Sequence, residues 1–147
     1  MTRLRPAREL DAGAVGAILS GFIDATPWMP RIHTRAEDVA HAAALIARGW
    51  VTVAESEGRI LAFAASDGEE LAALYVDAQA QGQGLGSMLL QELQARRERI
   101  ELWTFQANAP ARTFYRKHGF TELRRTDGSD NDEGLPDIRL VWMKEAA

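Results

Sequence analysis

The chain contains no cysteine among its 147 residues. Disulfides, thiolate nucleophiles and cysteine-based zinc sites are therefore excluded, and any acyl transfer must be direct or use another nucleophile. An excess of basic charge is also missing: 17 Lys and Arg stand against 21 Asp and Glu, a net charge of −4. Nucleic-acid binding needs a basic face that displaces counterions, so no nucleic-acid partner is expected. No apolar run is long enough to cross a bilayer, and the opening Met1-Thr2-Arg3-Leu4-Arg5-Pro6 has no apolar signal-peptide core. The expectation is a cytoplasmic protein with no membrane partner.

What is present suits a soluble globular fold. Hydrophobic residues make up 46% and charged residues 26%, and residues 1–147 are expected to form a single domain. Residues 2–5 read as a short edge strand before Pro6. Residues 9–24 carry helical apolar spacing through Leu10, Val15, Ile18, Leu19 and Phe22. Pro27 and Pro30 break that pattern around Trp28. Thr34 is a good N-cap, and 38–48 reads as a second helix ended by Gly49. A hairpin over 50–55 and 60–65 turns at Glu57-Gly58.

The continuous apolar run 71–76 predicts a strand covered on both faces. Residues 84–97 form a helix with Leu85, Met88, Leu89 and Leu93 on one side. Then follow a strand at 100–105, a helix at 110–118 stopped by Gly119, and closing strands at 120–125 and 138–142. An acidic, glycine-bearing loop, 126–136, separates the last two. Strands alternate with helices only in the middle, which predicts a mixed sheet flanked by helices.

Chemistry is concentrated in two stretches. Gln81-Gly82-Gln83-Gly84-Leu85-Gly86 lies between a strand and an amphipathic helix. Glycines at alternate positions let backbone approach a ligand closely. The helix that follows points free N–H groups and the positive end of its dipole at the loop, a setting that binds phosphate. A Walker A loop would need a lysine after its last glycine, where this chain has Ser87. A dinucleotide fingerprint would need glycine at the same place. A ligand-free glycine turn is the plain alternative. The second stretch is Asn108-Ala109-Pro110-Ala111-Arg112-Thr113-Phe114-Tyr115-Arg116-Lys117-His118-Gly119-Phe120. Asn108 caps, Pro110 fits the first turn, the basic residues complement the helix end, and Gly119 suits a left-handed stop. All of that is structural taken alone.

The two stretches together, in this order and spacing, resemble the GNAT (GCN5-related N-acetyltransferase) superfamily. Gln81-x-x-Gly84-x-Gly86 is similar to its acyl-CoA pyrophosphate loop, and the Asn-to-Gly-Phe stretch to its second motif. The resemblance implies an α/β (mixed α+β) fold with a central, mostly antiparallel twisted sheet flanked by helices. It implies acetyl-CoA as acyl donor, direct attack by an amine in a ternary complex, and no metal. Backbone contacts to the cofactor are implied for Leu74 and Val76 on a bulged strand. Contacts are also implied for Gln81, Gly82, Gln83, Gly84, Leu85, Gly86, Ser87 and Asn108. The Val76 N–H would polarise the thioester carbonyl. Tyr115 matches the family's general acid toward the CoA sulfur, its alternative being a core aromatic.

Glu70, six residues before Val76, stands where one branch of the family carries a catalytic glutamate, and its alternative is a solvated turn carboxylate. His33 is a second candidate base. The acceptor, a small-molecule or peptide amine, is expected between the Trp28–His33 region and the acidic loop. A non-catalytic acyl-CoA-binding module on the same fold stays open, as does a homodimer.

Overall fold

The computed structural model describes residues 1–145. Among the described residues, seven strands make one sheet: β1 (Thr2–Pro6), β2 (Val51–Ser56), β3 (Arg59–Asp67), β4 (Glu70–Val76), β5 (Arg99–Phe105), β6 (Thr121–Thr126) and β7 (Asp137–Met143). Four helices accompany it: α1 (Ala12–Ala25), α2 (Arg35–Ala47), α3 (Leu85–Arg96) and α4 (Ala109–Lys117). The sheet order is β1-β2-β3-β4-β5-β7-β6. Every neighbouring pair is antiparallel except β4 and β5. The mixed, mostly antiparallel sheet matches the expected fold class.

Local sequence sets most of the boundaries. Glu57 and Gly58 both take positive φ, 52° and 76°, which is the two-residue turn whose twist suits a hairpin. Thr34 accepts from the Glu37 N–H while the Glu37 carboxylate takes the Thr34 N–H, a full capping box at the start of α2. The sheet has an apolar cluster on each face. Val15, Ile18, Leu45, Val53 and Phe63 join α1 and α2 to one face. Leu89, Leu90, Leu102, Tyr115 and Ile138 join α3 and α4 to the other. Gly16 permits close approach of α1 to α2, since a Cβ there would lie 2.7 Å from the Val39 Cα.

Three expectations change. Leu10 does not belong to the buried helical stripe: it sits in a 3-10 turn before α1 and is fully exposed. On α3 the core position falls to Leu90, while Met88 faces outward. β4 is not covered on both faces. Only Leu71 in it is buried, and its last four residues are half-buried. The reason is the neighbouring strand. β4 and β5 pair at a single register point, Glu70 with Glu101. Beyond that point they diverge, so the apolar run lines an open groove.

The bulge also lies elsewhere than expected. Ala65 and Ser66 of β3 pair with Ala73 and Leu71, which leaves Ala72 as the extra residue of β4. Leu74 and Val76 pair regularly with Ala64 and Ala62. The Asp77 N–H donates to the Leu61 carbonyl at 2.8 Å, toward β3. By strand alternation Leu74 and Val76 turn their backbone groups the other way, into the gap left by β5. Their freedom comes from the splay, not from the bulge.

Candidate acyl-transfer site

A cleft of about 380 Å³ opens between the C-terminal half of β4, the start of α3 and the face of α4. Of the residues singled out for cofactor contact, Leu74, Val76, Gln81, Gly82, Gly84, Leu85, Gly86, Ser87 and Asn108 all line it, and Tyr115 lines it too. Gln83 does not; it faces a separate shallow pocket beside Arg59 and Gln79. Phe22, from α1, and Phe114 complete the apolar walls. Phe22 was legible as an apolar position of the first helix, but nothing local marked it as cleft-facing.

The geometry of the glycine loop follows from backbone. Gly82 and Gly84 take φ of 81° and 78° with nothing within 4 Å of a Cβ position, so these two need glycine for conformation. Gly86 is helical and packs instead: a Cβ there would meet the Phe114 ring at 3.4 Å. Gly84 offers no side-chain cap, and Met88 is the first residue of α3 whose N–H bonds back, to the Gly84 carbonyl at 3.0 Å. The N–H groups of Leu85, Gly86 and Ser87 are left for a ligand, at the positive end of the helix. This cradle fits a pyrophosphate.

Asn108 accepts from the Ala111 N–H at 3.2 Å, capping α4 and presenting the helix along the cleft. Tyr115, two turns beyond Asn108, is 8% exposed. Its ring is held by Phe114 and Phe120 at centroid distances of 5.2 and 5.3 Å. Its hydroxyl makes no hydrogen bond among the described residues, in which no fully buried side-chain oxygen or nitrogen is unpaired. The hydroxyl therefore keeps some contact with solvent, and the Tyr115 side chain lines both the cleft and the narrow gap between β4 and β5. Burial, with the Tyr75 phenol beside it, raises the Tyr115 pKa well above the usual phenol range. Burial first, and the Glu133 carboxylate second, push Tyr75 up to about 12. Both phenols are neutral donors at any ordinary pH.

The proposed base positions lie outside this cleft. Glu70 stands at the far end of β4, roughly 20 Å from Val76 at strand rise. Its carboxylate takes two hydrogen bonds from Arg139, at 2.8 and 2.6 Å. His33 is exposed and 3.8 Å from Glu37. Trp28 is half-buried and edge-on to Phe105 at 5.8 Å. That contact places Trp28 against the wall of a second cavity, of about 440 Å³, which β5, β6 and the loop after β6 enclose. Trp103, Phe105, Arg124, Asp130 and Glu133 are among its lining. Trp103 and Thr104 border both this cavity and the β4–β5 gap, and the gap shares Leu74, Tyr75 and Tyr115 with the cleft, so it lies between the two.

A cleft built from a glycine loop on an open helix end, a splayed strand and a capped helix carrying a buried phenol defines an acyl-CoA-dependent N-acyltransferase. Residues 47–122 match the family model for the acetyltransferase (GNAT) domain. The chain is 32% identical over 120 residues to the peptidyl-lysine N-acetyltransferase YiaC of Escherichia coli, covering 77% of this chain and 81% of that protein. A GCN5-related N-acetyltransferase from Rhodopseudomonas palustris superposes with a TM-score of 0.81 at 24% identity, over 98% and 96% of the two chains. YncA of Salmonella typhimurium, solved with its cofactor acetyl-CoA, superposes at 0.75 and 21% identity over 100% and 97%. The chain belongs to the GNAT acetyltransferase family. It is an acetyl-CoA-dependent N-acetyltransferase acting on an amine acceptor.

Proposed function

We propose that the chain acetylates the side-chain amine of a peptidyl lysine, with acetyl-CoA in the β4–α3–α4 cleft and the acceptor in the second cavity. The observation that supports the site assignment is Tyr115: a buried phenol, unpaired among the described residues, whose side chain lines both the cleft and the gap. The lysine reading is supported by the similarity to a peptidyl-lysine acetyltransferase. Asp130 and Glu133 on the wall of the second cavity suit a cationic acceptor.

The residues divide the work as follows. The free N–H groups at the start of α3 and the glycine loop hold the pyrophosphate. The outward backbone of Leu74 and Val76 pairs with the pantetheine arm, and the Val76 N–H donates to the carbonyl oxygen as negative charge builds there. The thioester supplies an activated acyl carbon. With its ammonium proton already lost, the lysine nitrogen attacks it, the carbon–sulfur bond breaks, the sulfur takes its proton from Tyr115, and solvent returns a proton to the phenolate. The proton shed by the amine leaves through the acceptor cavity, where Glu133 is the candidate to receive it. Asp137, by contrast, is tied to Thr126 and Asn131.

The test is thiol release with a panel of acceptors: lysine peptides, the same peptides with the side-chain amine blocked, and small amines. Turnover on the free-lysine peptides and none on the blocked ones is expected. Equal turnover on small amines alone would overturn the lysine assignment.

A further inference from the structure

His118 closes α4, and its ring crosses to α3: Nε2 lies 3.0 Å from Ser87 Oγ. One ring contact and two backbone contacts hold His118 there. Its ring packs on Phe114 at 4.7 Å, its backbone N–H is shared between the Phe114 and Tyr115 carbonyls, and its carbonyl accepts from Gln94 Nε2 at 2.9 Å. Ser87 is half-buried at the open N-terminus of α3 and lines the cleft. The histidine thus sits behind the phosphate cradle, touching one of its members and not the cleft itself.

A serine hydroxyl has one hydrogen to give. If His118 Nε2 accepted it, the Ser87 oxygen would turn lone pairs toward an anion. If Nε2 carries the hydrogen and donates to Oγ, the hydroxyl hydrogen is free to point at the phosphate. Burial holds the imidazole below its usual pKa, and no charged group contributes to that shift. His118 is therefore neutral near pH 7 and holds a single ring N–H.

We propose that His118 is a positioning residue for the cofactor: its Nε2–H donates to Ser87 Oγ and so fixes Ser87 as a hydrogen-bond donor to the CoA pyrophosphate. This rests on the glycine-loop reading of the cleft. It makes the donor's phosphate, and not its thioester, the part that His118 senses.

The experiment compares acetyl-CoA with S-acetylpantetheine, which keeps the thioester and lacks the pyrophosphate. In His118→Leu, KM for acetyl-CoA should rise about tenfold, the size of one hydrogen bond to a charged group, with kcat little changed. Activity with S-acetylpantetheine should be unaffected. His118→Gln, whose amide N–H reaches a similar place, should restore most of the loss. Ser87→Ala should match His118→Leu, and the double variant should be no worse than either single one.

An equal loss with both donors, or additive effects of the two substitutions, would overturn the proposal. So would an unchanged KM in Ser87→Ala, a variant that removes one oxygen and carries the test even if His118→Leu disturbs α4. Gly84→Val separates this from the site reading: if it too leaves CoA binding normal, the loop assignment fails, and if it weakens binding while His118→Leu does not, only the relay fails.

Discussion

Arg139 of β7 donates to both oxygens of Glu70 at 2.6 and 2.8 Å, and its Nε reaches Glu101 at 3.0 Å. One guanidinium thereby ties the only register point between β4 and β5, Glu70 with Glu101, to the strand beyond. The network closes the base of the splay whose open end is the groove. It also occupies the carboxylate that sequence position offered as a base. Glu70→Gln should therefore keep near-normal turnover and an unchanged pH–rate profile. Since the Glu70 side chain is 40% exposed, the pair stabilises by no more than about 1 kcal/mol. A hundred-fold fall in kcat would show that Glu70 reaches the chemistry after all.

The glycines of the loop should separate by mechanism. Gly84 needs its positive φ of 78° and has open space around it. Gly84→Ala is strained by about 1–2 kcal/mol in the loop itself and should weaken acetyl-CoA binding. Gly86→Ala only presses on a side-chain ring at 3.4 Å, so it should bind nearly as well as the parent. Gly86→Val must displace Phe114 and should lose both affinity and stability. Calorimetric titration with CoA on the three variants reads the order.

Gly16→Ala tests the contact of α1 with α2. The added carbon would overlap the Val39 backbone, which cannot rotate away. A cost of about 1–3 kcal/mol is expected, seen as a melting point several degrees lower. Turnover below the melting range should survive, because neither helix carries a residue of the acyl-transfer chemistry.

Acid should loosen the amino-terminal edge. The Arg5 side chain donates to Asp11 at 2.8 Å and holds its pKa below the usual carboxylate range, helped by the Arg8 backbone N–H. A depressed folded pKa means that the unfolded chain binds the proton more readily. The stabilisation is complete above the unfolded pKa of about 3.9 and is lost as pH falls through the lower folded value. Melting temperature should decline below about pH 4 in the parent, and Asp11→Asn should start lower and decline less steeply. Identical slopes would remove Asp11 from the acid response.

The legible parts of this site were the local ones. Gly82, Gly84, Asn108 and Gly119 announce themselves because each meets a backbone need set by near neighbours. The splay was not legible, because it is an absence of pairing between strands separated by a whole helix. Leu71–Val76 reads as core for the same reason: apolar composition records contact with something apolar, not whether that is protein or an open groove. Arg139 lies 69 residues from Glu70, so nothing near Glu70 shows that its carboxylate is engaged. The second cavity was half visible: the acidic loop was marked, but Trp103 and Arg124 face it only through the pairing of β5, β7 and β6.

The sharpest expectation concerns Tyr115. Tyr115→Phe keeps the ring that Phe114 and Phe120 hold and removes a hydroxyl that has no partner among the described residues. Stability and acetyl-CoA affinity should therefore change little. If the hydroxyl protonates the departing sulfur, the single-turnover rate should fall about a hundred-fold, the low end for general acid catalysis, with the loss in kcat more than in KM. The raised pKa sets a second signature. A general acid works in its protonated form, and this phenol keeps its proton beyond pH 10. The parent should show no alkaline loss of rate from Tyr115 up to that pH, whatever the acceptor amine does below it. Melting temperature and single-turnover rate on the same preparation decide the matter. A destabilised variant with normal turnover would make Tyr115 a core aromatic, and a folded, fully active one would leave catalysis to the backbone of β4 and to positioning.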